Sequence, residues 1–305
     1  MTSIVDGVAS RAVRAGYAHA MQPAPSFARA SAWMAGWLTL MVVIAVAGRE
    51  ATRELAVFQV MALRSLIGLL MLAPLVHAAG GLPALMTARL PHHAARNVVH
   101  YAAQYGWFVA LGLIPLAQVV SIEFTMPLWT ALLAAAFLGE RLTPRKLVAV
   151  AIGLVGVTMI VQPTGTGLNA GHAIALAAAV GFAASVTLTK SLTRSDSALT
   201  IIFWMLVVQS VIGIVPALLT WRTPAAAQWG WIVVVAFCGT FSHYCMARAL
   251  RHADATVVVP MDFLRVPMTA AAGWALYAER FDLLTVAGAA LILGANLLNL
   301  RRKTA

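Results

Sequence analysis

A carboxylate, Glu123, stands deep inside an apolar run. At an offset of 139 residues a second, Asp262, stands inside another run that matches the first. Shifting the chain by that offset lays Tyr105 on Tyr244, Ala110-Leu111 on Ala249-Leu250, Val119 on Val258 and Phe124 on Phe263. Glu140-Arg141 falls on Glu279-Arg280 in the same register. An ionised group is costly in hydrocarbon, so matched acids in two apolar repeats are expected to face a protein interior and to be useful there. Such a duplication constrains the chain to build one structure from two related halves.

The apolar runs point to lipid as the solvent. Hydrophobic residues make up 61% of the 305 and charged residues 10%, against about 25% charged in soluble domains. Runs of about 20 residues, each able to cross a bilayer as a helix, recur from Ser31 to Leu300. The predicted spans are 31–48, 55–76, 94–112, 115–137, 144–162, 171–190, 197–220, 228–248, 254–277 and 282–300. The expected fold is therefore an all-α integral membrane protein of ten transmembrane helices in two inverted five-helix repeats. The repeats are expected at 31–162 and 171–300, joined by a Gly- and Thr-rich loop at 163–170. Residues 1–30 read as a cytosolic tail without the compact apolar core of a signal peptide, and 301–305 as a basic cytosolic end.

Orientation follows from where the basic residues fall. The formal net charge is +11, but the Lys and Arg punctuate the spans and form no stripe, which excludes a nucleic-acid partner. Of 21 basic residues, 15 fall on the N-terminal side of the membrane. Four (Arg49, Arg53, Arg222 and Arg280) fall on the other, and Arg64 and Arg265 lie inside spans. The positive-inside rule then puts both termini in the cytosol of a cell with a bacterial-type inner membrane. Five spans per half is an odd number, so the halves enter the bilayer from opposite sides, related by a pseudo-twofold axis in its plane.

Within the spans, the residues that could carry chemistry are few. There is no P-loop, CxxC or HExxH, so neither an enzyme nor a cofactor or metal site is expected. His92-His93 reads as a polar interface, and Cys238 and Cys245 as small buried residues. Glu123 lies about 12 Å into its span at 1.5 Å per residue. Arg265, three residues after Asp262, is that acid's nearest partner, and Arg64 could reach Glu123. Glu123, Asp262, Arg265 and Arg64 form either a structural ion-pair network or the lining of a polar substrate cavity, and the second reading is favoured. With no basic residue within four positions, Glu123 is the candidate proton carrier or ligand for a substrate ammonium, whereas Arg265 should hold Asp262 ionised and fixed. The two acids are thus expected to do different jobs.

Further lining candidates come from the third and eighth spans, where Gln104-Tyr105 aligns with His243-Tyr244 and His100-Tyr101 lies one turn earlier. The alternative for these groups is hydrogen bonding between helices. Pro127, Pro216, Pro260 and Pro267 are expected to kink spans, with Pro127, Pro260 and Pro267 placed as hinges near the acids. Trp33, Trp37, Trp107, Trp129, Trp204 and Trp274 read as apolar bulk, and Trp221, Trp229 and Trp231 as an interfacial belt. Gly153 and Gly156 suit a close helix contact.

These features together resemble the drug/metabolite transporter superfamily, in its ten-helix EamA-type branch. The resemblance covers about 31–300. In the first half it rests on Ala117–Pro127 (AQVVSIEFTMP), Phe137–Thr143 (FLGERLT), Gly153–Val157 (GLVGV) and Val161-Gln162-Pro163. In the second it rests on Ala255–Phe263 (ATVVVPMDF) and Tyr277–Arg280 (YAER), where Ala278 takes a place more usually held by glycine. The resemblance implies secondary transport of a small organic solute through a central cavity opened alternately to each side. It also implies structural or gating roles for Glu140-Arg141 and Glu279-Arg280.

The leading substrate reading is export of an amino acid or similar zwitterion, because acid and arginine together can meet ammonium and carboxylate. Uptake of riboflavin or a nucleoside-like metabolite is the alternative, and a membrane-embedded enzyme the alternative of another class. The expected partners are the substrate, membrane lipids and protons as coupling ion, for a chain acting as a monomer.

Overall fold

The structure, a computed structural model, describes residues 26–138, 143–161, 169–192, 195–250, 252–253, 258, 261–280 and 282–300. Pro260, the Glu140-Arg141 pair, most of the loop between the halves and both terminal ends lie outside the described residues. The protein is an all-α multi-pass membrane protein. Helix α1 spans Phe27–Glu54, α2 Val57–Ala78 and α3 Leu90–Leu113, with a 3-10 turn at Leu82–Leu85 before α3. Helices α4 (Leu116–Glu123) and α5 (Met126–Leu138) follow, then α6 (Pro144–Val161) and α7 (Ala170–Leu192). The remainder are α8 (Ala198–Leu219), α9 (Ala226–Leu250), α10 (Arg265–Tyr277) and α11 (Leu283–Leu300).

Local chemistry sets several of these ends. Ser26 caps α1 by accepting from the Arg29 amide, and Ser197 caps α8 by accepting from Thr200 at 3.1 Å. Large apolar side chains such as Leu70, Val211, Leu218 and Leu283 point outward, as a lipid-facing surface requires. Among the described residues, six segments are long and apolar enough to cross a membrane: α1, α2, Leu116–Phe137, α7, α8 and α9. Helices α3 and α10 fall short of that standard for identifiable reasons. Helix α3 carries His93, Arg96, Asn97, His100 and Gln104 on one stripe. Helix α10 is shortened by a turn directly after Asp262.

The two halves pack by exchange. Helix α1 lies chiefly against α9, α2 against α8, α3 against α7, and α6 against α11, while α4 meets α10. First thus pairs with third, second with second, and last with last. The main core gathers at the centre around Phe108, Val119, Ile122, Phe124, Phe263 and Ile292, from both halves. Helices α6 and α11 approach each other closely. A methyl group on Gly156 would sit 2.6 Å from the Gly288 carbonyl, and one on Gly288 2.5 Å from the Gly156 carbonyl. Glycine is needed at both places, and Gly153 sits under the end of the Leu128 side chain.

Candidate substrate cavity

Both matched acids end a stretch of helix. Helix α4 stops at Glu123 and a turn at 124–125 precedes α5; Met261-Asp262 is helical and a turn at 263–264 precedes α10. The turns are held by i→i+3 bonds, Thr125 N to Ile122 O and Leu264 N to Met261 O, at 3.0 and 3.1 Å. Pro127 and Pro267 are therefore not mid-helix kinks as expected. They occupy the first turns of α5 and α10, where the missing N–H would have no partner in any case. The breaks bring the halves together, and the rings of Phe124 and Phe263 meet edge to face at 5.3 Å.

Arg265 joins the two acids. Its Nη1 donates to Glu123 Oε1 at 3.0 Å and its Nη2 to Asp262 Oδ2 at 3.4 Å, with the guanidinium 4.7 Å from the Phe124 ring. The remaining carboxylate oxygens are held by indoles: Trp107 Nε1 donates to Glu123 Oε2 at 2.8 Å and Trp37 Nε1 to Asp262 Oδ1 at 2.5 Å. This revises two expectations. Glu123 is not without a cation, because the one that reaches it lies in the other half of the chain. Trp37 and Trp107 are donors to the acids as well as bulk. Arg64 does not reach Glu123; its Nη2 donates to Gln104 Oε1 and Gln209 Oε1, each at 2.7 Å.

These groups line a cavity of about 400 Å³, within the range of small-molecule sites. Arg64, Gln104, Glu123, Pro127, His243, Asp262 and Arg265 all border it. So do Arg96, His100, Trp37, Trp107, Phe124, Phe182 and Phe263. Arg96, one of the 15 basic residues counted on the N-terminal side, lies within α3, which begins at Leu90 and buries it. Its Nε donates to Thr189 Oγ1 at 3.0 Å and its Nη1 to Asn97 Oδ1 at 2.7 Å. Tyr101, Tyr105 and Tyr244 do not border the cavity. Helical phase explains this: 96, 100, 104 and 108 share one stripe of α3, whereas Tyr101 and Tyr105 turn to stack on Phe58 at 6.4 and 4.4 Å. Tyr244 likewise turns from His243 towards Trp33, at 5.6 Å.

A second polar cluster closes the bundle at the α3–α4 junction. Arg49 pairs with Glu279 and also donates to the carbonyls of Leu111 and Ile114. Glu279 accepts from the Leu116 amide at 3.0 Å, capping α4 from the other half of the chain. Gly273 leaves room for that carboxylate, and the turn beneath it puts Ala278 at φ 52°, in the left-handed region. A shallow cleft of about 730 Å³ lies over this latch. Arg49 and Glu279 there are spent on each other and Arg53 pairs with Glu50, which leaves the cavity between the halves as the candidate site. At the opposite ends of these helices Asp196, in the loop after α7, binds His93 Nε2 at 2.8 Å and Thr87 Oγ1 at 3.0 Å. Among the described residues no group of acids, His and Cys could hold a metal.

Comparison with known proteins adds to this geometry. Residues 29–162 and 169–301 each match the model of the EamA-like transporter family. A "Riboflavin transporter" of Rhizobium johnstonii is 31% identical, covering 73% of this chain and 74% of its own. An "S-adenosylmethionine uptake transporter" of Rickettsia bellii is 26% identical over 86% of this chain and 91% of its own. The "Pseudopaline exporter CntI" of Pseudomonas aeruginosa is 27% identical over 80% and 86%. One crystal structure superposes with a TM-score of 0.61 at 19% identity, covering 90% of this chain and 97% of the other, a likeness of fold.

Proposed function

The chain belongs to the EamA-like transporter family and is a secondary transporter of small organic metabolites, and we propose that it takes up a flat heteroaromatic metabolite of the riboflavin or nucleoside kind. The observation that carries this reading is that all four carboxylate oxygens of Glu123 and Asp262 are already held by Arg265 or an indole. Each of these oxygens already has a protein donor, so a substrate ammonium would have to share or displace one, which weakens the case for an amino acid. The cavity instead offers Trp37, Trp107, Phe124, Phe182 and Phe263 as walls for an aromatic ring, with amide and imidazole groups at its edge. The riboflavin transporters among the relatives support the same order.

The architecture that goes with this function is ten spans in two inverted repeats, at 31–162 and 171–300, with both termini cytosolic. The exchange of helix partners between the halves supports a twofold relation between them, and an odd number of spans per half would put that axis in the membrane plane. Glu123, Asp262 and Arg265 carry one negative charge in excess, and a proton taken up there is the proposed coupling ion for a monomeric carrier. The test is flux into liposomes holding the purified protein, with labelled riboflavin, adenosine and amino acids compared under an imposed pH gradient. Riboflavin or adenosine flux is expected, accelerated by the gradient. Amino-acid flux alone would restore the zwitterion reading.

A further inference from the structure

The charges bordering the cavity fall into two groups. The first, Glu123, Asp262 and Arg265, is closed on itself as described. The second is Arg64 on α2 and Arg96 on α3, which are 6% and 9% exposed. Among the described residues neither pairs with a carboxylate. Their acceptors are neutral: the amides of Gln104, Gln209 and Asn97 and the hydroxyl of Thr189. The Arg64 Nε, a buried donor on a group that borders the cavity, has no partner. His100 and His243 border the same space.

Guanidinium groups stay charged in proteins, and a buried charge without a counter-charge is costly by several kcal/mol. Neutral amide oxygens solvate Arg64 but do not cancel its charge. A structural arginine would be expected to carry a carboxylate, as Arg265 and Arg49 do a few turns away. A pair of cations facing a cavity with spare donors is instead the arrangement that receives an anion from outside the protein.

We propose that the transported molecule is an anion, carrying a carboxylate or phosphate that docks between Arg64 and Arg96 while its ring lies against the aromatic wall. This rests on the cavity being the substrate site, and it narrows the substrate from a neutral heteroaromatic to an acidic one. Gln104 and Gln209 would then hold the Arg64 fork at the angle a planar or tetrahedral anion needs. A charge-assisted bond exceeds a neutral one by about 1–1.5 kcal/mol, which is about a tenfold preference per arginine.

The test uses the full-length protein in detergent and in liposomes, with paired probes that differ in charge and share a body. The pairs are riboflavin with riboflavin 5′-phosphate, adenosine with adenosine 5′-monophosphate, nicotinamide with nicotinate, and butyramide with butyrate. Binding and counterflow should favour the charged member of at least one pair by about a hundredfold, about tenfold for each arginine. Arg64→Met and Arg96→Met should each reduce that preference about tenfold, and Arg64→Lys should retain most of it. Unchanged size-exclusion profiles and melting temperatures certify the variants; an unfolded Met variant is replaced by Gln. Preference for the butyrate pair alone would keep the anion site and sink the heteroaromatic reading. Equal or better binding of the neutral members, or no charge preference in any pair, overturns the inference.

Discussion

At the scale of single residues, charge arithmetic governs the acid cluster. Two carboxylates share one guanidinium, so replacing either acid by its amide leaves Arg265 with one counter-charge. Glu123→Gln and Asp262→Asn should each cost about 1 kcal/mol in detergent stability, the difference between a charged and a neutral acceptor. The double variant strands Arg265 and should cost about 3–5 kcal/mol. Melting temperatures of the three proteins check this, and pH-driven flux should fall in both single variants. An additive double variant would sink the shared-cation view. Asp196 gives a separate pH signature outside the membrane. Burial works against its charge, but bonds from His93 and Thr87 and the charge of Arg89 prevail and hold its carboxyl below the usual range. Its contribution to stability is present above the unfolded value of about 3.9 and is lost as pH falls through the lower folded value. Asp196→Asn should therefore melt below the parent protein at pH 7, with the gap closing below about pH 3.9. Which residues touch was only partly legible in the sequence. Matched acids in apolar runs stood out, but the partners of Glu123 lie 16 and 142 positions away, at Trp107 and Arg265. Local spacing cannot show that. Helical phase could have separated His100 and Gln104 from Tyr101 and Tyr105, since each pair is four apart on its own stripe.

At the scale of elements, the breaks and contacts of helices decide what moves and what cannot. Span positions were legible because apolar runs of about 20 residues are a strong signal. The turns after Glu123 and Asp262 were not, because Phe-Thr and Phe-Leu carry no turn chemistry and the prolines nearby drew the break to themselves. Ala278 is a place where sequence and structure agree on a cost. A side chain at φ 52° is strained by about 1–2 kcal/mol, partly offset by the chain entropy a glycine would bring. Ala278→Gly should raise stability by about 0.5–1 kcal/mol, measured as a higher melting temperature with transport retained. The α6–α11 contact makes the opposite prediction. Gly156→Leu must push the helix off the Gly288 carbonyl, and overpacking of this kind costs about 1–3 kcal/mol. Loss of folded protein on size exclusion would register the larger end of that range.

At the scale of the whole molecule, the proposed topology predicts labelling. A single cysteine at Gly165 should react with a membrane-impermeant reagent from outside the cell, and one at Arg302 only after the cell is opened. Reaction at Arg302 from outside would sink that topology. The exchange of helix partners also bears on how the protein comes to exist. Every major helix contact described above joins one half to the other, so the half made first reaches the bilayer without the surfaces it is to pack against. Glu123 then waits for Arg265 and Arg64 for Gln209, over a stretch of translation lasting on the order of 10 s at bacterial elongation rates. During that interval two charged side chains sit in an unfinished bundle, the kind of intermediate that insertion chaperones and membrane proteases meet. A gene cut at the loop between the halves should accordingly yield function only when both fragments are made together, and rapid turnover of either fragment made alone.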